Sequence, residues 1–183
     1  MKKAAVFFAD GFEEVEALTQ VDLLRRAGIE TVMVSIHDRA VVKGAHGIEI
    51  NTDSLFDQKV LRDFDAVILP GGMPGTTGLE NCMELKSLIL DFNKSGRLIA
   101  AICAAPMVLG KLGILKGKKA CSYPGFEKYL DGAEVIYQNV VKDGNIITSR
   151  GVGTAIDFAY TIIASLESES SAKEVIESIV YES

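Results

Sequence analysis

Short apolar runs of strand length alternate with longer helical patterns along most of this sequence, and that alternation restricts the possible folds more than any other feature. The apolar runs are rich in β-branched or small residues and are bounded by glycine, proline or charged residues, which is typical of buried strands. Strands that alternate with helices form a mostly parallel sheet, because each crossover helix returns the chain to the same edge. We therefore expect an α/β fold with helices on both faces of the sheet.

The predicted elements begin and end where each pattern does. Core strands are predicted at residues 4–8, 31–36, 66–69 and 98–102, small hairpins at 41–43 with 48–50 and at 140–141 with 146–148, and helices at 13–27, 79–93, 104–112, 154–166 and 172–180. The pair Asp143-Gly144 is a strong hairpin signal. No repeat or linker divides the 183 residues, so a single domain over residues 1–183 is expected.

The charge balance excludes several classes of protein. Lys and Arg number 19 against 25 Asp and Glu, for a net charge of −6, and no basic stripe is present. A surface for nucleic acid or anionic membrane is therefore not expected. No apolar run approaches the roughly 20 residues of a membrane span. The first apolar run stops at Asp10, too soon for the core of a signal peptide, so we expect a strand there and a cytoplasmic protein.

Few residues are available for metal or disulfide chemistry. The three cysteines lack close spacing, which argues against a disulfide framework and against a zinc site. Neither of the two histidines, His37 and His46, is placed beside a cysteine by the predicted elements. A cysteine–histidine pair is therefore not expected, which leaves a carboxylate as the partner of a reactive cysteine.

Cys103 lies between the predicted strand at residues 98–102 and the helix that follows, with the small Ala104 next to it. A sharp strand-to-helix turn needs small residues, as in a nucleophile elbow, and Pro106 suits a first helical turn. Unpaired N–H groups and the helix dipole at such a position favour a thiolate. We therefore predict that Cys103 is the reactive thiol.

A lone cysteine more commonly acts as a small buried hydrophobe. Cys82 falls inside the predicted helix at residues 79–93, and Cys121 ends a short strand. Neither has the turn that marks Cys103, so we assign both a structural role.

Three glutamates open the first predicted helix, where carboxylates ordinarily complement the dipole. On a helical wheel Glu16 falls within about 20° of Leu23 and Ala27, in the apolar stripe. Glu14 falls on the side expected to face solvent, and Glu13 is not excluded from the stripe side. A carboxyl group in an apolar stripe tends to keep its proton, so Glu16 could donate a hydrogen bond to a thiolate or pass a proton to a substrate.

Sites in parallel sheets form beyond the carboxyl ends of the strands, which here are the loops at residues 10–12, 70–75 and 103–105. Backbone N–H groups of the Pro70-Gly71-Gly72 loop, with that of Ala104, could form an oxyanion pocket. A plain strand-to-helix turn is the alternative for this loop. Neither a P-loop nor a dinucleotide fingerprint is present.

Five ordered motifs, spread over nearly the whole chain, carry a family resemblance. They are residues 8–16 (FADGFEEVE), 21–29 (VDLLRRAGI), 69–72 (LPGG), 100–106 (AAICAAP) and 148–154 (TSRGVGT). Together they resemble the ThiJ/PfpI superfamily, in the branch of the parkinsonism-associated protein deglycase and redox-sensing chaperone.

The resemblance implies a flavodoxin-like three-layer sandwich that forms a homodimer and uses no metal or organic cofactor. It makes Cys103 an oxidisable nucleophile, Glu16 its protonated hydrogen-bond partner, and Gly72 and Ala104 backbone donors. It also implies a small reactive dicarbonyl, such as methylglyoxal or glyoxal, or an early glycated adduct as the substrate. Gly71 belongs to the same expected pocket.

The sequence departs from the branch at two positions of the expected pocket. Tyr123 stands where close relatives carry a histidine, and tyrosine is a poor base near pH 7. His46 stands where relatives place an arginine across the dimer interface, which leaves a weaker, pH-dependent cation. The protease-like branch has histidine after its cysteine, where this chain has Ala104, and amidotransferases need a later histidine that is absent.

Two functions of different classes remain open at this point. One is a cofactor-free glyoxalase or deglycase that acts through Cys103. The other is a non-catalytic redox sensor or holdase chaperone, in which Cys103 is oxidised to a sulfinate.

Overall fold

A computed structural model describes residues 1–181 of the chain. The strands are β1 (Lys3–Phe8), β2 (Glu30–Ser35), β3 (Val41–Lys43), β4 (Glu49–Asn51), β5 (Ser54–Leu55), β6 (Ala66–Leu69), β7 (Leu98–Ile102), β8 (Lys119–Ala120), β9 (Glu134–Val135), β10 (Val140–Asp143) and β11 (Ile146–Ser149). Seven of them form one sheet in the order β10-β11-β7-β6-β1-β2-β5. Only the pair β10–β11 in this sheet is antiparallel.

Helices cover both faces of the sheet. They are α1 (Glu14–Arg26), α2 (Gln58–Leu61), α3 (Gly75–Asn81), α4 (Met83–Ser95), α5 (Pro106–Lys111), α6 (Ala155–Leu166) and α7 (Glu169–Ser178), with short 3₁₀ turns at Glu127–Tyr129 and Val152–Thr154. The predicted α/β sandwich with a mostly parallel sheet is confirmed. None of the helices within residues 1–181 has the length and apolar character needed to cross a bilayer.

Both faces of the central strand β1 are buried. Ala4 and Val6 join one core, under α1, α6 and α7, whereas Ala5 and Phe7 join the other, under α3, α4 and α5. All four side chains are fully buried. A strand that is buried on both faces does not alternate apolar and polar residues, which explains the continuous apolar sequence of β1.

The two predicted hairpins are present. β3 pairs with β4 in a separate two-stranded sheet, and β10 pairs with β11 across Asp143-Gly144. β11 also pairs in parallel with β7, so its carboxyl end lies beside that of the strand that precedes Cys103. This pairing was not predicted, because nothing in the sequence of a hairpin says which neighbour it joins.

The single helix predicted at residues 79–93 is wrong, because the chain forms α3 and α4 with a break at Cys82. Cys82 has an extended backbone, with φ of −76° and ψ of 103°. On one continuous helix Leu79 and Leu85 would lie about 120° apart, yet both are buried. The break redirects the chain so that both leucines reach the same core.

The loops at the carboxyl edge of the sheet bind one another through their backbones. Glu13 N donates to Gly71 O at 2.9 Å, and Gly75 N donates to Gly11 O at 3.3 Å. Gly72, between them, has φ of +88°, and a Cβ there would lie 2.3 Å from Glu13 N. The close approach of these two loops therefore requires a glycine at position 72.

We expect Gly72→Ala to destabilise the protein more than Gly28→Ala does. Gly28 also has a positive φ, of +75°, but a Cβ there would meet no atom within 4 Å. Gly28→Ala should cost only the left-handed strain of about 1–2 kcal/mol, whereas Gly72→Ala should add about 1–3 kcal/mol for overpacking. Urea unfolding of both variants measures the difference, and equal costs would contradict the close approach.

Candidate functional site at the carboxyl edge of the sheet

Cys103 occupies a left-handed turn directly after β7. Its φ is +66°, a conformation that residues with a side chain rarely adopt. The turn is held on both sides, because Cys103 N donates to Ser149 O at 2.9 Å and Tyr123 N donates to Cys103 O at 2.8 Å. The predicted elbow is thus present, and the strain falls on the one cysteine with that sequence context.

Glu16, one turn into α1, is fully buried. Its Oε2 accepts a hydrogen bond from Gly71 N at 2.9 Å. Its Oε1 is buried without a hydrogen-bond partner among residues 1–181. The helical-wheel prediction that Glu16 points into the apolar interior therefore agrees with the structure.

Gly71 lies between the side chains of Glu16 and Cys103, and only its backbone occupies that space. A Cβ on Gly71 would lie 2.6 Å from Cys103 Cβ and 2.7 Å from Glu16 Oε2. Any larger residue would push the two side chains apart. The absence of a side chain at position 71 therefore permits the contact between the carboxyl group and the thiol.

The protonation states of these two groups depend on each other. Burial raises the pKa of Glu16 to about 7. Burial, and then the negative charge of Glu16, raise the pKa of Cys103 to about 12, while the backbone N–H groups of Ala104 and Gly72 act to lower it. The expectation of a thiolate from the helix dipole alone is therefore wrong while Glu16 is ionised, because burial and the nearby charge outweigh the backbone donors.

A protonated Glu16 changes this balance. The neutral carboxyl group no longer repels a thiolate, and its unpaired Oε1 can carry the proton toward the sulfur. An ionised Glu16 would instead leave a buried, charged oxygen without a hydrogen bond, which is costly. A thiolate at Cys103 with the proton on Glu16 therefore stays a prediction, and the two groups titrate as a coupled pair.

A cavity of about 540 Å³ opens next to Cys103 and is lined by Glu13, Glu16, His46, Gly72, Cys103, Tyr123, Pro124, Arg150, Gly151, Val152, Gly153 and Thr154. Of the residues expected in the pocket, Tyr123 and His46 line the cavity, whereas Gly71 does not. A Cβ on Gly151 would lie 3.3 Å from the Tyr123 ring and 3.8 Å from Glu16 Oε1. The phenol ring and the carboxyl group therefore approach the same point of the cavity wall.

His46 belongs to this cavity from within the same chain, although the predicted elements placed it away from any cysteine. Its backbone N donates to Glu14 Oε1 and its ring Nδ1 lies against Glu14 Oε2, both at 2.7 Å. The hydrogen bond with Glu14 and then the charge of Glu14 raise the pKa of His46. His46 is thus engaged by a carboxylate rather than free to act as a base toward Cys103.

Glu14 was predicted to face solvent, and that prediction is wrong. The side chain is only 3% exposed, because the β3–β4 hairpin lies over the amino end of α1. Burial acts to raise the pKa of Glu14, but the hydrogen bonds with His46 outweigh it and lower the pKa. A helical wheel shows which residues share a face of α1, but it cannot show that a later hairpin covers the polar one.

Glu13, Glu14 and His46 also form the one group of three potential metal ligands found within residues 1–181, with their ligand atoms within 4.8 Å of one another. Glu13 Oε2 already accepts the amino-end hydrogen bond of α1 from Glu16 N, at 2.7 Å. The ion pair between Glu14 and His46 accounts for the cluster without an ion.

Two charged residues that line the cavity were not among the predicted site residues. Glu13 remained undecided on the helical wheel. Arg150 follows β11 directly, and a residue just after a strand at the carboxyl edge is a candidate by position alone. The sequence does not show that β11 pairs with β7, and only that pairing brings Arg150 to the site.

Cys82 and Cys121 lie outside the cavity. Cys121 is buried, and its Sγ lies 3.6 Å from Thr148 Oγ1. Burial raises the pKa of both thiols.

A larger cavity, of about 640 Å³ between α6 and α7, is lined by Tyr137, Asp157, Tyr160 and Tyr181 among others, with no cysteine or histidine.

The sequence profile of the DJ-1/PfpI family matches residues 2–165. The chain belongs to this family. Protein dj-1beta of Drosophila melanogaster is 39% identical over 181 residues, which cover 98% of this chain and 97% of that protein. The family assignment made from the five motifs is thus confirmed.

Other DJ-1 relatives bear on fold and activity. A structure of Toxoplasma gondii DJ-1, oxidized, matches with a TM-score of 0.94 at 33% identity and covers all of both chains, so the flavodoxin-like fold is confirmed. A Caenorhabditis elegans relative named glutathione-independent glyoxalase DJR-1.2 is 37% identical over 156 residues, 85% of this chain and 83% of that protein. This chain spans only 40% and 45% of DJ-1 homologs B and A of Arabidopsis thaliana.

We expect Glu16→Leu to raise the pKa of Cys103, because the thiolate loses a neutral hydrogen-bond donor. Ultraviolet absorbance of the thiolate across a pH titration measures this, with the Cys103→Ala variant subtracting Cys82 and Cys121. Glu16→Gln keeps a donor of similar shape and should have a smaller effect. A fall of the pKa in Glu16→Leu would show instead that an ionised carboxylate repels the sulfur.

Proposed function

We propose that this protein is a cofactor-independent glyoxalase or deglycase that acts through Cys103 on methylglyoxal, glyoxal or their early adducts with proteins and nucleotides. The observation that carries the proposal is the strained Cys103 with the buried Glu16 carboxyl group beside it, at the wall of an open cavity. The relative named as a glutathione-independent glyoxalase supports this reaction class.

The first step forms a covalent bond to the substrate. Cys103 Sγ attacks the aldehyde carbon, the carbonyl π electrons move to oxygen, and that oxygen takes the proton of Glu16, which gives a hemithioacetal. The backbone N–H groups of Gly72 and Ala104, which act to lower the pKa of Cys103, are the donors that we propose for the developing oxyanion.

The second step is an internal oxidation and reduction. The Glu16 carboxylate removes the proton from the carbon bound to sulfur. The electron pair forms a double bond to the neighbouring carbon, whose carbonyl π electrons move to its oxygen and give an enediolate. Glu16 returns the proton to that neighbouring carbon, and the hydroxyl proton on the sulfur-bound carbon passes to the neighbouring oxygen, which leaves a 2-hydroxyacyl thioester. One carbon is oxidised, the other is reduced, and no external oxidant is needed. Water then cleaves the C–S bond and releases a 2-hydroxy acid and the thiol.

Tyr123 replaces the histidine of close relatives in this scheme. Its hydroxyl can donate a hydrogen bond to a substrate oxygen near Glu16 Oε1, but it does not act as a base near neutral pH. The scheme therefore assigns the proton transfers to Glu16, and a slower turnover than in histidine-bearing relatives follows from the loss of a second base.

A redox sensor or holdase chaperone is the second candidate. The observation that favours it is the pair of backbone donors at the Cys103 sulfur, since Gly72 and Ala104 would also hold the oxygens of a sulfinate. A structurally similar DJ-1 is described as oxidized. Three cysteines without a disulfide suit the cytoplasm, which we propose as the location for either function.

Purified protein is expected to convert methylglyoxal to lactate, and Cys103→Ala should reduce the rate to that of the uncatalysed reaction because the nucleophile is lost. Cys82→Ala and Cys121→Ala, with thiols outside the cavity, should keep wild-type turnover. Lactate is measured enzymatically after quenching. No lactate from wild type, together with ready sulfinate formation at Cys103, would favour the redox sensor.

We also propose that the protein is a homodimer, as the family resemblance implies. Helix α1 offers only part of its apolar surface to such a contact, because Ala17, Val21 and Leu24 are buried against their own chain. Val15 remains half-exposed, and Leu18 lines a groove of about 340 Å³ with Ile156 and Ile179. This smaller apolar face is the part of α1 that a second subunit would cover.

Light scattering at micromolar concentration should give about twice the 19.7 kDa chain mass for wild type. Leu18→Asp should shift the protein toward the monomer, because it places a charge in the groove. Met83→Asp, at a position 67% exposed on α4, is the matched control and should leave the mass unchanged. A wild-type mass near that of one chain contradicts the dimer.

A further inference from the structure

Arg150 lies beside Cys103 across the junction of two parallel strands. Ser149, the last residue of β11, is in register with Ile102, the last residue of β7. The next residue of each strand is therefore Arg150 on one side and Cys103 on the other, and both line the same cavity. The pairing of β11 with β7 thus brings Arg150 to the cavity that Cys103 lines.

Arg150 differs from the other five arginines of the chain. Each of those makes a hydrogen bond or ion pair, namely Arg25 with Asp53, Arg26 with Asp22, Arg39 with Asp10, Arg62 with Asp91, and Arg97 with the backbone oxygens of Arg62 and Phe64. Arg150 makes neither within residues 1–181, although it is half-buried. A half-buried guanidinium without a partner has five donors to offer to a ligand.

Neither of the two carboxylates that line the cavity is a partner of Arg150 within residues 1–181. Glu13 caps α1, and the Oε2 of Glu16 binds Gly71 N. His46, the other cation, is paired with Glu14 and is largely exposed at the rim. Within residues 1–181, Arg150 is therefore the one cationic side chain that lines the cavity without a counter-charge.

We infer that Arg150 forms an anion subsite for the oxygen on the carbon next to the one that Cys103 attacks. In a dicarbonyl substrate this is the second carbonyl oxygen, and in an acid of the same size it is a carboxylate, which the guanidinium binds with two parallel hydrogen bonds. The substrate part of this inference rests on the proposed function. Negative charge develops on that oxygen when the enediol forms, so Arg150 stabilises it at the step that needs stabilisation.

Two alkylating agents of nearly the same size test the subsite without any turnover. Iodoacetate and iodoacetamide both present a CH₂ carbon to the thiolate, and they differ only in the carboxylate or amide on the next carbon. A chain with net charge −6 should disfavour iodoacetate unless a local cation attracts it. We expect the iodoacetate-to-iodoacetamide rate ratio at Cys103, measured by mass spectrometry, to fall about tenfold in Arg150→Gln.

Three further variants separate the possible causes. Arg150→Lys keeps the charge but not the paired donors, and should retain part of the ratio. Arg62→Gln removes a distant surface arginine and should leave the ratio unchanged. His46→Gln tests the other cation of the cavity. A ratio that falls in His46→Gln but not in Arg150→Gln overturns the inference, as does a ratio that none of the variants changes.

This outcome is independent of whether the protein is a glyoxalase. If wild type makes no lactate but the ratio depends on Arg150, the proposed function fails and the subsite stands. If wild type makes lactate and the ratio ignores Arg150, the function stands and the subsite fails. Far-UV circular dichroism and urea unfolding of Arg150→Gln show that a lower ratio comes from the lost guanidinium and not from a misfolded site.

Discussion

Glu16 places a carboxyl group in the apolar interior, with one oxygen bound to Gly71 N and the other without a partner among residues 1–181. No cation lies within ion-pair distance of it in that part of the chain. A buried carboxyl group in such a place keeps its proton or shares a charge with a neighbour. The neighbour is Cys103, and the protonation of the two groups is therefore one coupled equilibrium.

The fold is arranged so that these two groups meet. Cys103 comes from the end of β7 and Glu16 from the first turn of α1, and β6 lies between β7 and β1 in the sheet. The loop after β6 supplies Gly71, whose missing side chain leaves room for the contact. Three consecutive strands of a parallel sheet thus each contribute one part of the site, which is why a site of this kind needs the whole sheet.

Around this pair the cavity has an uneven distribution of charge. At the amino end of α1, His46 is paired with Glu14, and Glu13 accepts the hydrogen bond from Glu16 N. Arg150 also lines the cavity and has no ion-pair or hydrogen-bond partner within residues 1–181. Attack by sulfur, proton transfer by Glu16 and binding of an oxygen by Arg150 are compatible roles in one small volume. The same backbone donors at the sulfur would hold an oxidised cysteine. One arrangement of residues would therefore serve either an enzyme or a redox sensor.

The sequence by itself determined the fold class and predicted Cys103 and Glu16 as the central residues of the site. The strands at residues 66–69 and 98–102 were predicted to the residue, because each is a continuous apolar run stopped by proline or by the turn at Cys103. Glu16 was found because a single charged residue in an apolar helical stripe is a local pattern. Signals of this kind lie within a few residues of one another, and spacing along the chain reveals them.

The tertiary structure alone decided what depends on contacts between distant segments. The hairpin at residues 41–51 buries Glu14 and brings His46 to the cavity, and the pairing of β11 with β7 places Arg150 beside Cys103. The break at Cys82 follows from the need to bury Leu79 and Leu85 in one core. The direction of the Cys103 pKa was likewise decided by burial and by the charge of a residue 87 positions away in the sequence. Each of these results comes from packing between elements, which local spacing does not encode.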